Sequence, residues 1–298
     1  MNKDSLNQLI SRITQSDGDF TTAIPALSVY RRSKPSEPMP CIYGLSLALT
    51  VQGGKRITLG DEVIDYGPGQ SLVTTVDLPV TAYITHASRQ LPFLGLRLEL
   101  DARLIAQVAA KMDASHSAKN THPLAISATP LDAGVQDALV RLLGLLNEPA
   151  LLHTLAPLLE EEIVARLLHG AHGPMLRHLV TQGSPSQQVA KVITWLRHNF
   201  DQEVSGDELA AKAHMSGSTF RAHFRNVTGM SPLQYAKNLR LQEARNLMMH
   251  SQLDAGSAAI RVGYESASQF SREYRRLFGE PPQRDIQKLR LNALSNAS

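Results

Sequence analysis

The chain of 298 residues has a single cysteine. That excludes an internal disulfide, and with it the stapled scaffolds of small secreted proteins. No apolar run reaches membrane-spanning length, and the opening MNKDSLNQLISRITQSDGD has no apolar stretch that could serve as a secretory leader. A cytoplasmic protein without a membrane partner is therefore expected. Catalytic signatures are missing as well: there is no G-x-S-x-G, no P-loop and no G-x-G-x-x-G.

What is present suffices for packed cores, with 43% apolar and 19% charged residues. The length suggests two domains at about 150 residues each. The net charge of +3 is unevenly spread. Residues 1–184 carry 15 Lys+Arg and 17 Asp+Glu, a net of −2, whereas residues 185–298 carry 15 and 10, a net of +5. A basic C-terminal third suits a polyanionic partner, although many basic domains bind none.

The texture of the chain changes twice. Residues 4–14 place Leu6, Leu9, Ile10 and Ile13 on one face of a short helix, and the three prolines of 31–40 read as a loop. Strand-like runs follow at 43–51, 56–59, 63–66, 71–76, 80–84 and 93–98. Gly53-Gly54 and Gly60-Asp61 suit tight hairpin turns between them, so an antiparallel barrel or sandwich is expected. Beyond residue 100 the period becomes helical, first over 101–112. Val135, Leu139, Leu142, Leu143 and Leu146 then start one amphipathic helix, and a leucine-rich stretch after Pro149 forms another. These helices either cover the barrel or pair with a second subunit. TQGSPS, at 181–186, has linker composition and marks the domain boundary.

The basic third contains an internal repeat. At an offset of 50, Ser216 matches Ser266, Ser218 matches Ser268, Phe220 matches Phe270 and Phe224 matches Tyr274; Arg225, Gly229 and Pro232 match Arg275, Gly279 and Pro282. In the first unit, Ser205 and Glu208 have capping-box spacing for one helix, and Ser216 caps a second. Phe220, Phe224 and Val227 make a buried stripe on that second helix, while Ser218, Arg221, Ala222 and Arg225 share a different, polar face. Gly229 suits a left-handed helix end and Pro232 a helix start. The second unit repeats this logic, with Asp254 and Ser266 as caps. Each is a helix-turn-helix pattern. Residues 231–249 form one uninterrupted helix between them, about 28 Å long. Successive major-groove segments on one face of a duplex lie about 34 Å apart, so one rigid helix could hold two reading helices in adjacent grooves. Two such pairs would also suit a plain helical bundle.

At this point the residues resemble a known family. TGMSPLQYAKNLRLQEARNLM and AAIRVGYESASQFSREYRRLFGEPP resemble the DNA-binding domain of the AraC/XylS transcription regulators. YGLSLALTVQGGKRITLGDEVIDYGPGQSLVTTVDLPVTAYI and LPFLGLRLELD resemble one of that family's sensor domains. The resemblance implies an α+β chain. Residues 1–180 would form a cupin-like antiparallel barrel with flanking helices, for effector binding and possible dimerisation. Residues 181–186 would be a linker, and 187–290 an all-α domain with two helix-turn-helix units joined by a long helix. It further implies that Ser218, Arg221, Ala222, Ser268, Gln269 and Arg272 face the bases of double-stranded DNA. Arg221 and Arg272 suit guanine, Gln269 suits adenine, and Ser218 and Ala222 allow close approach. Arg225, Arg275 and Arg276 suit phosphate. RNA polymerase, a small organic effector and a homodimer partner are implied in the same way, with activation the commoner family behaviour.

The barrel region offers a metal ion little. Cupin-like barrels often hold one through clustered histidines and a glutamate, yet His86 is the only histidine there and no H-x-H occurs. No metal, cofactor or catalytic group is expected. A cupin-type enzyme fused to a DNA-binding module, and a DNA-binding protein that senses nothing, are the alternatives. His169 and His172, with Glu161 and Glu162 before them, are read as surface residues at a helix end. Cys41, read as lying just before the first strand and near Arg31, Arg32 and Lys34 in sequence, is either an ordinary thiol or, with a lowered pKa, a sensor of oxidants or electrophiles.

Overall fold

The computed structural model describes residues 4–112 and 124–297. Helix α1 (Asp4–Ile13) leads into nine strands: β1 (Gly18–Thr21), β2 (Leu27–Arg32), β3 (Met39–Tyr43), β4 (Ser46–Gln52), β5 (Gly54–Leu59), β6 (Glu62–Tyr66), β7 (Gln70–Thr74), β8 (Leu78–His86) and β9 (Phe93–Glu99). Helix α2 (Ala102–Lys111) and strand β10 (Ile126–Pro130) follow. The strands make two antiparallel sheets, of order β1-β2-β9-β4-β7-β10 and β3-β8-β5-β6. Alternation decides which face is which. Leu27, Val29, Leu47, Leu49, Leu94, Leu96 and Leu98 join one core with α1, α3 (Ala133–Gly144) and α4 (Pro149–His169). The residues between them face the second sheet. The helices thus cover the outside of the larger sheet, as amphipathic helices must if their apolar stripes are to leave water.

Several strands depart from the sequence expectation. β1, β2 and β10 were not anticipated, and the expected loop 31–40 begins inside β2 and ends inside β3. These strands are short, and two of their partners are distant: β2 pairs with β9 and β3 with β8. Local pattern carries no signal for such pairing. The expected strand 43–51 is two strands, broken at Gly44-Leu45. Cys41 is not ahead of the first strand but inside β3, opposite Val80.

The histidine reading also needs correcting. α4 ends at His169, and His172 lies beyond it, just ahead of α5 (Gly173–Val180). It is buried, not on the surface. Its Nε2 lies 3.0 Å from Ser71 Oγ and 2.9 Å from Thr129 Oγ1, so it joins the α4–α5 corner to β7 and β10. Among the described residues no group of three or more His, Cys, Asp or Glu side chains is placed to hold a metal.

Seven helices complete the chain: α6 (Pro185–His198), α7 (Gly206–Lys212), α8 (Gly217–Thr228), α9 (Pro232–His250), α10 (Ala255–Arg261), α11 (Ala267–Phe278) and α12 (Pro282–Ala297). Ser184 caps α6, so that helix starts inside the expected linker and leaves only 181–184 as connection. No helix among the described residues is long and apolar enough to cross a membrane.

Candidate nucleic-acid interface

Local chemistry sets the ends of the two helix pairs. Ser205 and Glu208 close a reciprocal capping box on α7, and Ser216 accepts from Thr219 N to start α8. Gly229 ends α8 at φ 72°, and Gly279 ends α11 at φ 83°. Both values lie in the left-handed region that glycine enters without strain. Asp254 caps α10 and Ser266 caps α11.

The repeat is not uniform. Gly206 to Ala255, the starts of α7 and α10, is 49 positions, whereas Gly217 to Ala267, the starts of α8 and α11, is 50. The second unit therefore has one more residue in its turn. Both turns still close alike: Met215 N donates to Ala210 O, and Tyr264 N to Ala259 O, 49 positions on. The left-handed turn residue is His214 in the first unit (φ 53°) and Gly263 in the second (φ 82°).

Aromatic packing fixes the second helix of each pair. Phe220, Phe224 and Tyr235 are buried edge to face, with ring centroids 5.4 Å apart at each step. In the second unit Tyr264, Phe270, Tyr274 and Phe278 form the corresponding run. Tyr274 Oη donates to Asp285 at 2.7 Å, and Arg245 makes two 2.8 Å bonds to the same carboxylate. Arg245 also lies over the Phe278 ring. Asp285, with its three bonds, ties α9, α11 and α12 together; its role was not legible from the repeat.

With the aromatic stripes inside, the opposite faces point to solvent. Ser218, Arg221, Ala222 and Arg225 are all exposed on α8, and Ser268, Gln269, Arg272, Arg275 and Arg276 on α11. Among the described residues none of these five arginines is in an ion pair. Guanidiniums without an internal acceptor are available to phosphate and to base edges. Gln269 is partly engaged, its amide donating to Glu273 Oε1 at 3.3 Å. Glu273 was missed by the sequence reading, although its i, i+4 relation to Gln269 was a signal. Burial pushes its carboxyl up, but bonds from Lys237, Tyr264 and Gln269 outweigh this and hold it below its ordinary range. An acidic group on α11 is thereby anchored to α9.

Cys41 does not fit a reactive thiol. Burial pushes its pKa up to about 11, against smaller opposing effects from Lys55, Arg245 and Arg97. Arg31, Arg32 and Lys34, its neighbours in sequence, are not among the charges acting on it.

Residues 23–175 match the family described as AraC-type transcriptional regulator N-terminus, and residues 209–288 match a helix-turn-helix domain. The chain belongs to the AraC-type transcriptional regulators. RhaS of Klebsiella pneumoniae (strain 342), a transcriptional activator, is 34% identical over 98 residues, which are 33% of this chain and 35% of RhaS. RhaS of Escherichia coli (strain SE11) is 34% identical over 97 residues, 33% of this chain and 34% of that protein. The match thus spans about a third of these relatives' length. Structures of ToxT from Vibrio cholerae share the fold at low identity. The form bound to an unsaturated fatty acid superposes with a TM-score of 0.60 at 7% identity, over 92% of this chain and 96% of ToxT. The form bound to a naphthalenyl butenoic acid gives 0.60 at 10%, over 87% and 97%.

In this AraC-type chain the helical domain is seated on the barrel rather than tethered beside it. Ile57, Leu59, Leu72 and Leu78 share a core with Val189 and Ile193 of α6 and with Phe220 and Phe224 of α8. Ala125 N donates to Val227 O at 2.9 Å. Gly60 has no room for a side chain, since a Cβ there would sit 2.6 Å from Gly229 O. Arg245 reaches Pro40 O, one residue from Cys41.

Proposed function

We propose that this regulator binds double-stranded DNA site-specifically through both helix pairs and responds to a small organic ligand in its barrel. Residues 1–180 serve as the sensor and residues 187–290 as the reading domain. Ser218, Arg221, Ala222, Ser268, Gln269 and Arg272 read base edges, whereas Arg225, Arg275 and Arg276 neutralise phosphate. One observation carries this reading: five guanidiniums without intramolecular ion pairs on the exposed faces of two capped, aromatically packed helices. The shared core supports the sensing part. A ligand that alters the packing of the barrel interior alters the seat of α6 and α8, and it shifts their arrangement by the difference in its affinity for the two states. Activation through RNA polymerase, and pairing with a second copy, complete the proposal; RhaS supports the first and the exposed Leu151 and Leu158 of α4 support the second.

The test is selection of bound duplexes from a random pool, followed by titration of Arg272→Ala and Arg276→Ala across salt concentrations. Arg272→Ala should lose discrimination at one base pair, by about 1–3 kcal/mol. Arg276→Ala should weaken all sites alike and reduce the salt slope by about one. Equal, sequence-independent losses in both would overturn the assignment.

A further inference from the structure

Gln269 is held at both its backbone and its side-chain end. It lies in the first turn of α11, where its N–H donates to the Ser266 cap at 3.3 Å. One turn on, the Glu273 carboxylate receives its amide, Nε2 to Oε1 at 3.3 Å. Glu273 is itself fixed. Lys237 of α9 donates to Oε1 at 2.9 Å, and Tyr264, in the turn before α11, donates to Oε2 at 2.7 Å. The Glu273 side chain is 21% exposed, whereas Gln269 beside it faces solvent. At an offset of 50 the two positions are Thr219 and His223, so the first unit has no such amide–carboxylate pair.

An amide side chain is an ambiguous reader. It carries an acceptor and a donor side by side, and half a turn about its last bond exchanges them. Glu273 removes the ambiguity. An ionised carboxylate only accepts, so it takes an N–H from the amide and repels the amide oxygen. The turned-over orientation would set two acceptors face to face. Held this way, Gln269 keeps its carbonyl oxygen and its second N–H for a partner outside the chain. That edge complements adenine, whose N6 amino group donates and whose N7 accepts. Guanine shows two acceptors in the major groove, and its O6 would meet the amide oxygen. Recognition helices present their first turn to base edges, and Gln269 stands in that turn of α11. Lys237 balances the carboxylate, which would otherwise oppose a polyanion close by.

We propose that Glu273 is a positioning residue for DNA specificity: it fixes the Gln269 amide, oxygen outward, so that the second reading helix selects adenine over guanine at one base pair. That role rests on the base-reading assignment of Gln269 made above.

The experiment starts from a duplex that the full-length wild type selects from a random pool, together with its single-base-pair substitutions. Gln269→Ala identifies the pair this amide reads, as the position where discrimination falls about tenfold. An A·T pair is expected there. Glu273→Gln and Glu273→Met should each lower the preference for A·T over G·C at that pair about tenfold, because neither side chain opposes the turned-over amide. Discrimination at the pair lost in Arg272→Ala should hold within about twofold. Added to Gln269→Ala, Glu273→Gln should change nothing further at the amide's own pair. Each preference is a ratio of two affinities of one preparation. Partial unfolding therefore cancels, and so does the general tightening that follows loss of a negative charge. The absence of a Gln269 pair, a pair other than A·T, an unchanged preference in both Glu273 variants, or an equal loss at the Arg272 pair would each overturn the proposal. Failure of the regulator reading shows separately and removes both, as a wild type that selects no sequence from the pool.

Discussion

The phenol of Tyr235 donates a 2.7 Å hydrogen bond to the backbone carbonyl of Asp77, across 158 positions of sequence. The bond joins α9 to the β7–β8 turn. The Asp77 carboxylate meanwhile pairs with Arg197 of α6 at 2.7 Å, so one residue beside the barrel strands holds two helices of the C-terminal helical region. Tyr235→Phe keeps the ring, and with it the edge-to-face contact with Phe224, but loses the bond. We expect it to lower the stability of the full chain by about 1 kcal/mol in urea denaturation. Arg197→Ala, at a pair whose arginine is largely exposed, should cost less than about 1 kcal/mol. A Tyr235→Phe chain as stable as the wild type would show that the bond does not clamp the domains.

A larger loss is expected at Asp285. Its carboxylate takes two bonds from Arg245 and one from Tyr274, and both members of the ion pair are nearly buried. Asp285→Ala strands a guanidinium and a phenol in the core of the second helix pair. Removing one partner of a buried pair costs about 3–5 kcal/mol. The double change Arg245→Met with Asp285→Leu should recover most of this. Hydrogen exchange should place the damage in 254–290 rather than in the first pair. A cost below about 1 kcal/mol for Asp285→Ala would mean that water replaces the lost bonds.

Cys41 makes a test of reactivity. With its thiol pushed up to about 11, it stays protonated at neutral pH. Alkylation by iodoacetamide should be slow and should accelerate only as pH climbs toward that value. A midpoint near that of a free cysteine, about 8.5, would place the thiol in a more solvated or more electropositive site than this structure gives it.

Features set by local chemistry could be read from sequence, and those set by distant pairing could not. Ser205 with Glu208, Ser216, Gly229, Asp254, Ser266 and Gly279 act on backbone within a few residues of themselves, and all bound their helices as expected. The faces of α8 and α11 followed, because the aromatic stripe on one side leaves the arginines on the other. The 49-residue offset of α7 and α10 was hidden, because the matched serines and aromatics lie beyond the extra turn residue. Lys55 and Tyr43 sit on β5 and β3, which are separated by β8 in the sheet, and nothing in their own segments announces that the Lys55 ammonium lies 5.2 Å from the Tyr43 ring centroid. His172 misled for the same reason: its partners Ser71 and Thr129 are 101 and 43 positions away.

That histidine also sets a pH dependence. Burial lowers its pKa from 6.5 to about 4, a bond to Ser71 opposing the shift only in part, and Nδ1 is buried without a partner. The folded state therefore binds a proton less readily than the unfolded state. The contribution to stability is fully present above about pH 6.5 and is lost as pH falls toward about 4. The lowered pKa corresponds to about 3 kcal/mol at most. In His172→Gln the side chain can still meet a hydroxyl but does not titrate. Urea denaturation of both chains across this window should give a wild-type curve that falls on acidification and a variant curve that falls less. Because His172 bridges the α4–α5 corner to β7 and β10, the acid-sensitive element is the seat of that corner on the larger sheet. Parallel curves for the two chains would place the acid lability elsewhere in the fold.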